Sequence, residues 1–156
     1  MSRALVLLVL LCGCAALRPP VVHEAELPRR YCGRYYWTND ERCPSTVRLT
    51  LTSVNTTFDG DLVVTGSNVY DGARGHFEMR VAGRVGARTR HVVLHEFEPS
   101  RPDSVVAGAF QGVLEPDLAT LAALWTTAEN GQLGVLVLHA DGVAGVDCSS
   151  DVQPTQ

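Results

Sequence analysis

Alternation constrains this chain more than any other property. Val47, Leu49 and Leu51 are apolar, while Arg48, Thr50 and Thr52 between and after them are polar. Phe77, Met79 and Val81 alternate in the same way with His76, Glu78 and Arg80. A two-residue period sends successive side chains to opposite faces, so each run fits a half-buried antiparallel strand with one face on a core. Turn-forming residues separate the runs: Asn55 to Gly60, Asp71-Gly72, Gly86-Ala87, Pro99 to Asp103 and Glu129-Asn130-Gly131. The last contains an Asn-Gly step, which tolerates the positive φ of a tight hairpin.

Eight candidate strands follow: Arg34 to Thr38, Thr46 to Val54, Asp61 to Val69, Gly75 to Val85, Arg90 to Phe97, Val105 to Leu114, Ala119 to Thr127 and Leu133 to His139. An even meander of this size can close on itself and remove its edges. This predicts an all-β fold, an antiparallel meander closed as a small up-and-down barrel, with a β-sandwich as the alternative. Gly108 and Gly112, on the face that carries Phe110 and Leu114, allow the bending a small barrel needs. One stretch reads two ways. Asp117 can cap a helix reaching Ala128 with Leu118, Leu121, Ala122 and Trp125 on one face, but the neighbouring patterns favour a strand.

The first residues are built differently. Arg3 precedes an unbroken apolar run from Ala4 to Leu11, and Leu11-Cys12-Gly13-Cys14 closes it. A membrane span needs ~20 apolar residues, so the run fits a secretory signal. Its closing residues resemble the lipobox of bacterial lipoproteins, with leucine at −3, a small residue at −1 and the cysteine at +1. The resemblance implies a signal peptide over 1–13, cleavage before Cys14, and acylation of that thiol by palmitate-like chains. It implies a membrane partner engaged through the N-terminal lipid and a place in the cell envelope. Ala15 at +2 points to the outer membrane where a cell has two. An ordinary signal cut after Ala15 or Ala16, releasing a soluble secreted protein, accounts for the same run and stays open.

Residues 14–30 then read as lipid anchor and tether, because Pro19, Pro20 and Pro28 favour extended backbone and Glu24, Glu26, Arg29 and Arg30 keep it solvated. Residues 31–148 form the barrel domain and 149–156 a C-terminal tail. The formal charge of −4 becomes −5 without Arg3, and no basic stripe is present. Such a chain is no nucleic-acid binder. Export would place Cys32, Cys43 and Cys148 in an oxidising compartment, where a disulfide is the expected state. Cys32–Cys43 closes a short loop and is the first expectation. Either cysteine joined to Cys148 would instead staple the chain's ends.

No catalytic signature is present. His91 and His95 are four apart, which on a strand separates them by about 13 Å, too far to share a metal ion. His95-Glu96 lacks the second histidine of a zincin, and no cysteine pair has metal-ligand spacing. Asp59-Gly60-Asp61 reads as a turn, and Arg84, Arg88 and Arg90 as a solvated hairpin tip. No metal, cofactor or catalytic set is expected. An enzyme drawing on Glu78, His91, His95 and Glu96 is the weaker alternative. The strand count, Gly33-Arg34-Tyr35 at the first strand and Trp125 late in the meander are similar to calycin-type barrels, the lipocalin and avidin group. That resemblance implies a barrel whose mouth admits a ligand. Tyr35, Trp37 and Trp125 are the candidates to line such a pocket, with core filling as the competing role. The functional expectation is a lipid-anchored envelope protein carrying a binding or interaction module for an unidentified small molecule or protein. A purely structural envelope lipoprotein is the alternative.

Overall fold

The computed structural model of the chain describes residues 20–37, 40–72, 75–101, 107–127, 131, 133–143 and 146–148, without the side chains of 37, 40–44 and 133. Leu11-Cys12-Gly13-Cys14, residues 149–156 and the side chains of Trp37 and Cys43 therefore lie outside the described residues. Eight strands run in chain order: β1 (Arg30–Trp37), β2 (Asp40–Thr56), β3 (Leu62–Gly72), β4 (Gly75–Val85), β5 (His91–Phe97), β6 (Gly108–Leu114), β7 (Thr120–Thr127) and β8 (Leu133–Ala140). Each pairs antiparallel with the next, and β8 returns to β1, so the sheet is a closed barrel. Closure leaves no open sheet edge, which is the physical advantage of an even meander.

Within the stretch from Asp117 to Ala128, Thr120–Thr127 form β7, and Ala128 lies outside the described residues. The burial of β7 alternates along Leu121, Ala123, Trp125 and Thr127, a two-residue period that a helix cannot produce. Asp117 caps no helix; its Oδ1 accepts from the Ala119 backbone N–H at 2.9 Å in the turn before β7.

The core lies inside the barrel. At the end where β2, β4, β6 and β8 finish, it consists of aliphatic side chains such as Leu49, Val64, Leu94, Leu121 and Leu138. Chain residues before β1 close this end. Val22 and Leu27 are buried in the core cluster, and the Val22 backbone N–H donates to Ala87 O at 2.8 Å. Tyr31 reaches across to donate its hydroxyl to Leu118 O at 3.2 Å. The tether reading of residues 14–30 is thus corrected for 20–30. Val22 and Leu27 are apolar residues with a core within reach, and burial stabilises them by about 1.5–3 kcal/mol each.

The disulfide expectation also changes. Cys32 is bonded to Cys148, with their Cα atoms 5.6 Å apart, so the Cys32–Cys43 pairing is overturned. The strand register explains why. Cys32 stands opposite Arg48 on β2, and Cys43 lies five residues before Arg48 on that strand. This is about 17 Å of extended chain, far beyond disulfide reach. Barrel closure instead sets His139 beside Cys32, and the chain after β8 turns back over β1. Asp141 holds that return: its Oδ1 accepts from the Cys148 N–H at 3.0 Å and its Oδ2 pairs with Arg30 Nε at 3.3 Å.

Candidate functional site

The end of the barrel where β1, β3, β5 and β7 finish has a different interior. On β5, Val92, Leu94 and Glu96 face inward while His91 and His95 face solvent. The apolar phase of this strand therefore delivers a carboxylate into the core, with Glu96 only 5% exposed. On β3 the inward phase brings Asn68 and Tyr70, and on β7 it brings Trp125. These three residues meet Glu96. Its Oε1 accepts from Asn68 Nδ2 at 2.9 Å and from the Tyr70 hydroxyl at 2.6 Å. Its Oε2 accepts from Trp125 Nε1 at 2.8 Å.

Aromatic rings wall the cluster. Tyr35 of β1 stands edge-on to Tyr70, centroids 6.1 Å apart, and edge-on to Trp125 at 5.9 Å. Phe77 of β4 stacks on Tyr70 at 4.7 Å. Two glycines make room for these rings. A Cβ on Gly108 would overlap the Trp125 indole, and one on Gly134 would overlap the Tyr35 phenol.

Burial lifts the Glu96 pKa above the ordinary glutamate value, opposed by the three hydrogen bonds that favour its ionised form. The Tyr70 phenol is pushed well above its ordinary value, first by burial and then by the neighbouring Glu96 charge. Among the described residues no cation forms an ion pair with Glu96. Among these residues only neutral dipoles balance its charge. The buried Asn68 Oδ1, beside the same carboxylate, has no hydrogen-bond partner among the described residues. Such a cluster can stabilise an incoming hydrogen-bond donor or a positive charge. It has no nucleophile–base pair, and no group of three metal-ligating side chains occurs among the described residues.

Tyr35 and Trp125, both expected at a pocket, come together here and are buried at 4% and 5% exposure. They pack the barrel's end as interior side chains; the Trp37 side chain lies outside the described residues. The apolar half is filled, and the void among Tyr31, Leu49, Val64, Leu94 and Leu121 amounts to about 10 Å³. Glu78, His91 and His95 are exposed on the outer face and do not share a site with Glu96. Arg84 pairs with Asp59 at 3.3 Å and Asp61 at 3.7 Å, tying the β2–β3 turn to β4. Asn68 and Tyr70 escaped the sequence reading. Their signal was available: counting by twos from Val64 through Gly66 reaches an amide and a phenol on the core face.

In comparisons of the sequence with known proteins, no family model matches the chain and no curated protein matches it.

Proposed function

We propose that this is an exported cell-envelope protein, held to a membrane by lipid on Cys14, whose barrel is a non-covalent binding module with its recognition end at Glu96. One observation carries the binding part: among the described residues, a buried carboxylate is balanced only by neutral donors, beside an amide oxygen with no partner. A buried charge of this kind contributes little stability relative to an apolar side chain of the same volume. Perturbed ionisable groups of this kind cluster at functional sites. The ligand class that complements it is a small molecule bearing hydrogen-bond donors or a positive charge, flanked by aromatic faces. The Cys32–Cys148 bridge is compatible with an oxidising compartment. The anchoring part rests on the lipobox-like residues alone.

The chain has two tryptophans, so Trp37→Phe leaves Trp125 as the sole indole reporter. Titration of that variant with methylammonium, guanidinium and small neutral amides should give a saturable emission shift with at least one of them. Glu96→Gln should abolish it. If none of these probes perturbs the indole, the binding reading fails. Anchoring is tested separately by Cys14→Ser, which should move the protein from the membrane to the soluble fraction. A mature chain beginning unacylated at Ala16 or Leu17 would refute it.

A purely structural envelope role is the second reading, favoured by the filled apolar half of the barrel. The same titration separates the two.

A further inference from the structure

The two ends of the barrel are not equivalent in what they show to solvent. Phe58 stands in the β2–β3 turn, at the end where β2, β4, β6 and β8 finish, and is fully exposed. The other three phenylalanines of the chain are covered. Phe110 is buried in the core, Phe77 stacks on Tyr70, and Phe97 lies under the Arg80 guanidinium. The Phe58 turn is firmly held. Thr57 donates its backbone N–H and its hydroxyl to Asp61 O, each at 2.8 Å, and Asp61 Oδ1 accepts from the Ala87 N–H at 3.1 Å. Val21 and Val143 are also exposed at this end.

The chain leaves toward Cys14 from the same end. Pro20 and Val21 border a groove with Arg90 of the β4–β5 turn and with Pro116 and Leu118 of the β6–β7 turn. Pro20 stands six residues after Cys14, and six residues of chain span about 22 Å at most. Strands β3 and β4 each run 11 residues. At about 3.3 Å per residue and a tilt of about 40°, they make a wall about 28 Å high. A lipid on Cys14 therefore cannot bring the Glu96 end down onto the bilayer that holds it.

We propose that the end bearing Phe58 lies against that bilayer, with the Phe58 ring in its interface, while the Glu96 end faces the aqueous compartment. This rests on the Cys14 lipid of the reading above and adds to it the source of the ligand: solution, not the anchoring membrane. Length excludes the inverted barrel, and the rim decides between standing and lying. Phe58 is in the β2–β3 turn, Val21 beside the β4–β5 and β6–β7 turns, and Val143 follows β8. Spread round the rim, all three reach a flat surface only when the barrel stands upright. Lying down, the barrel would rest on β6–β8, whose strands carry no Asp, Glu, Lys or Arg. The β2–β3 pair is across the barrel from β6–β7, so that arrangement would lift Phe58 into water. An exposed aromatic ring gains from the headgroup–acyl boundary. Rim charges are of both signs, with Arg88 and Arg90 in one turn and Glu115 and Asp117 in another, which suits zwitterionic headgroups.

The test is quenching of tryptophan by lipid. The acylated full chain is reconstituted into phosphatidylcholine vesicles with and without bromine on the acyl chains, which quenches only indoles close to the bilayer. Three variants each add one indole at an exposed position: Phe58→Trp at the rim, His76→Trp at the Glu96 end and Leu124→Trp on the β6–β8 wall. Phe58→Trp should lose most of the emission that it adds to the wild type, and the other two should keep theirs. An unquenched Phe58→Trp, or a His76→Trp or Leu124→Trp quenched as strongly, would overturn the proposal. A chain that does not sediment with the vesicles would refute the lipid on Cys14, and the orientation with it. A chain that sediments but breaks the quenching pattern would refute the orientation alone.

Discussion

Removing the Glu96 carboxylate should have opposite consequences for hydrogen bonding and for buried charge. Glu96→Ala leaves the Tyr70 hydroxyl, Asn68 Nδ2 and Trp125 Nε1 without their acceptor. Each orphaned buried donor costs about 1–3 kcal/mol. Against this, the variant no longer desolvates a carboxylate, a relief of several kcal/mol. Three donors at about 2 kcal/mol each outweigh a relief of about 3 kcal/mol, leaving a net loss of about 3 kcal/mol, enough to lower Tm by about 10 °C. Glu96→Gln should lose less, because its amide oxygen still serves Asn68 and Tyr70, and only the Trp125 N–H faces another donor. The pH dependence separates charge from packing. Burial raises the folded pKa of Glu96 above its unfolded value, so between the two the folded state holds more protons. Its contribution is therefore greatest at low pH and is lost as pH rises from about 4.3 through the raised folded value. Chemical denaturation across pH 4–8 should show this falling component in the wild type and its disappearance in Glu96→Gln. A Glu96→Ala protein within 0.5 kcal/mol of wild type, with an unchanged pH profile, would refute the reasoning. Water would then be serving the three donors and the cluster would not be sealed.

Other expectations rest on the same geometry. Gly134→Ala places a methyl where the Tyr35 phenol lies; a melting curve should register about 1–3 kcal/mol of lost stability, the usual cost of overpacking. Reducing the Cys32–Cys148 bridge frees a loop spanning 116 residues of sequence separation, which by the chain-entropy argument costs about 5 kcal/mol. Urea midpoints with and without reductant measure it. Above pH 10 the unfolded tyrosines ionise while Tyr31 and Tyr70 are held neutral by burial. Stability should therefore fall with rising pH in the alkaline range, and Tyr70→Phe should soften that fall. Phe110, fully buried on β6, should cost about 3–5 kcal/mol when truncated to alanine.

Most of the fold could be read from the chain because strand formation is local. Phe77-x-Met79-x-Val81 states its own face, and β4 runs from Gly75 to Val85, as the alternation predicts. Where local signals competed, as in Leu118 to Trp125, the neighbouring strands decided, since β7 hydrogen-bonds both β6 and β8. An inward glutamate was equally visible: Val92, Leu94 and Glu96 share one phase. Its partners were not. Asn68 and Tyr70 come from β3 and Trp125 from β7, neither of which pairs with β5, so only closure of the barrel brings them to one carboxylate. The disulfide followed the same rule. Sequence separation favoured Cys43, but β1 meets β8, which lies about a hundred residues later in the chain. Side-chain period is a property of a few consecutive residues, and the sequence carries it alone. Which residues meet across a core depends on how the sheet closes, and that is decided by the tertiary structure.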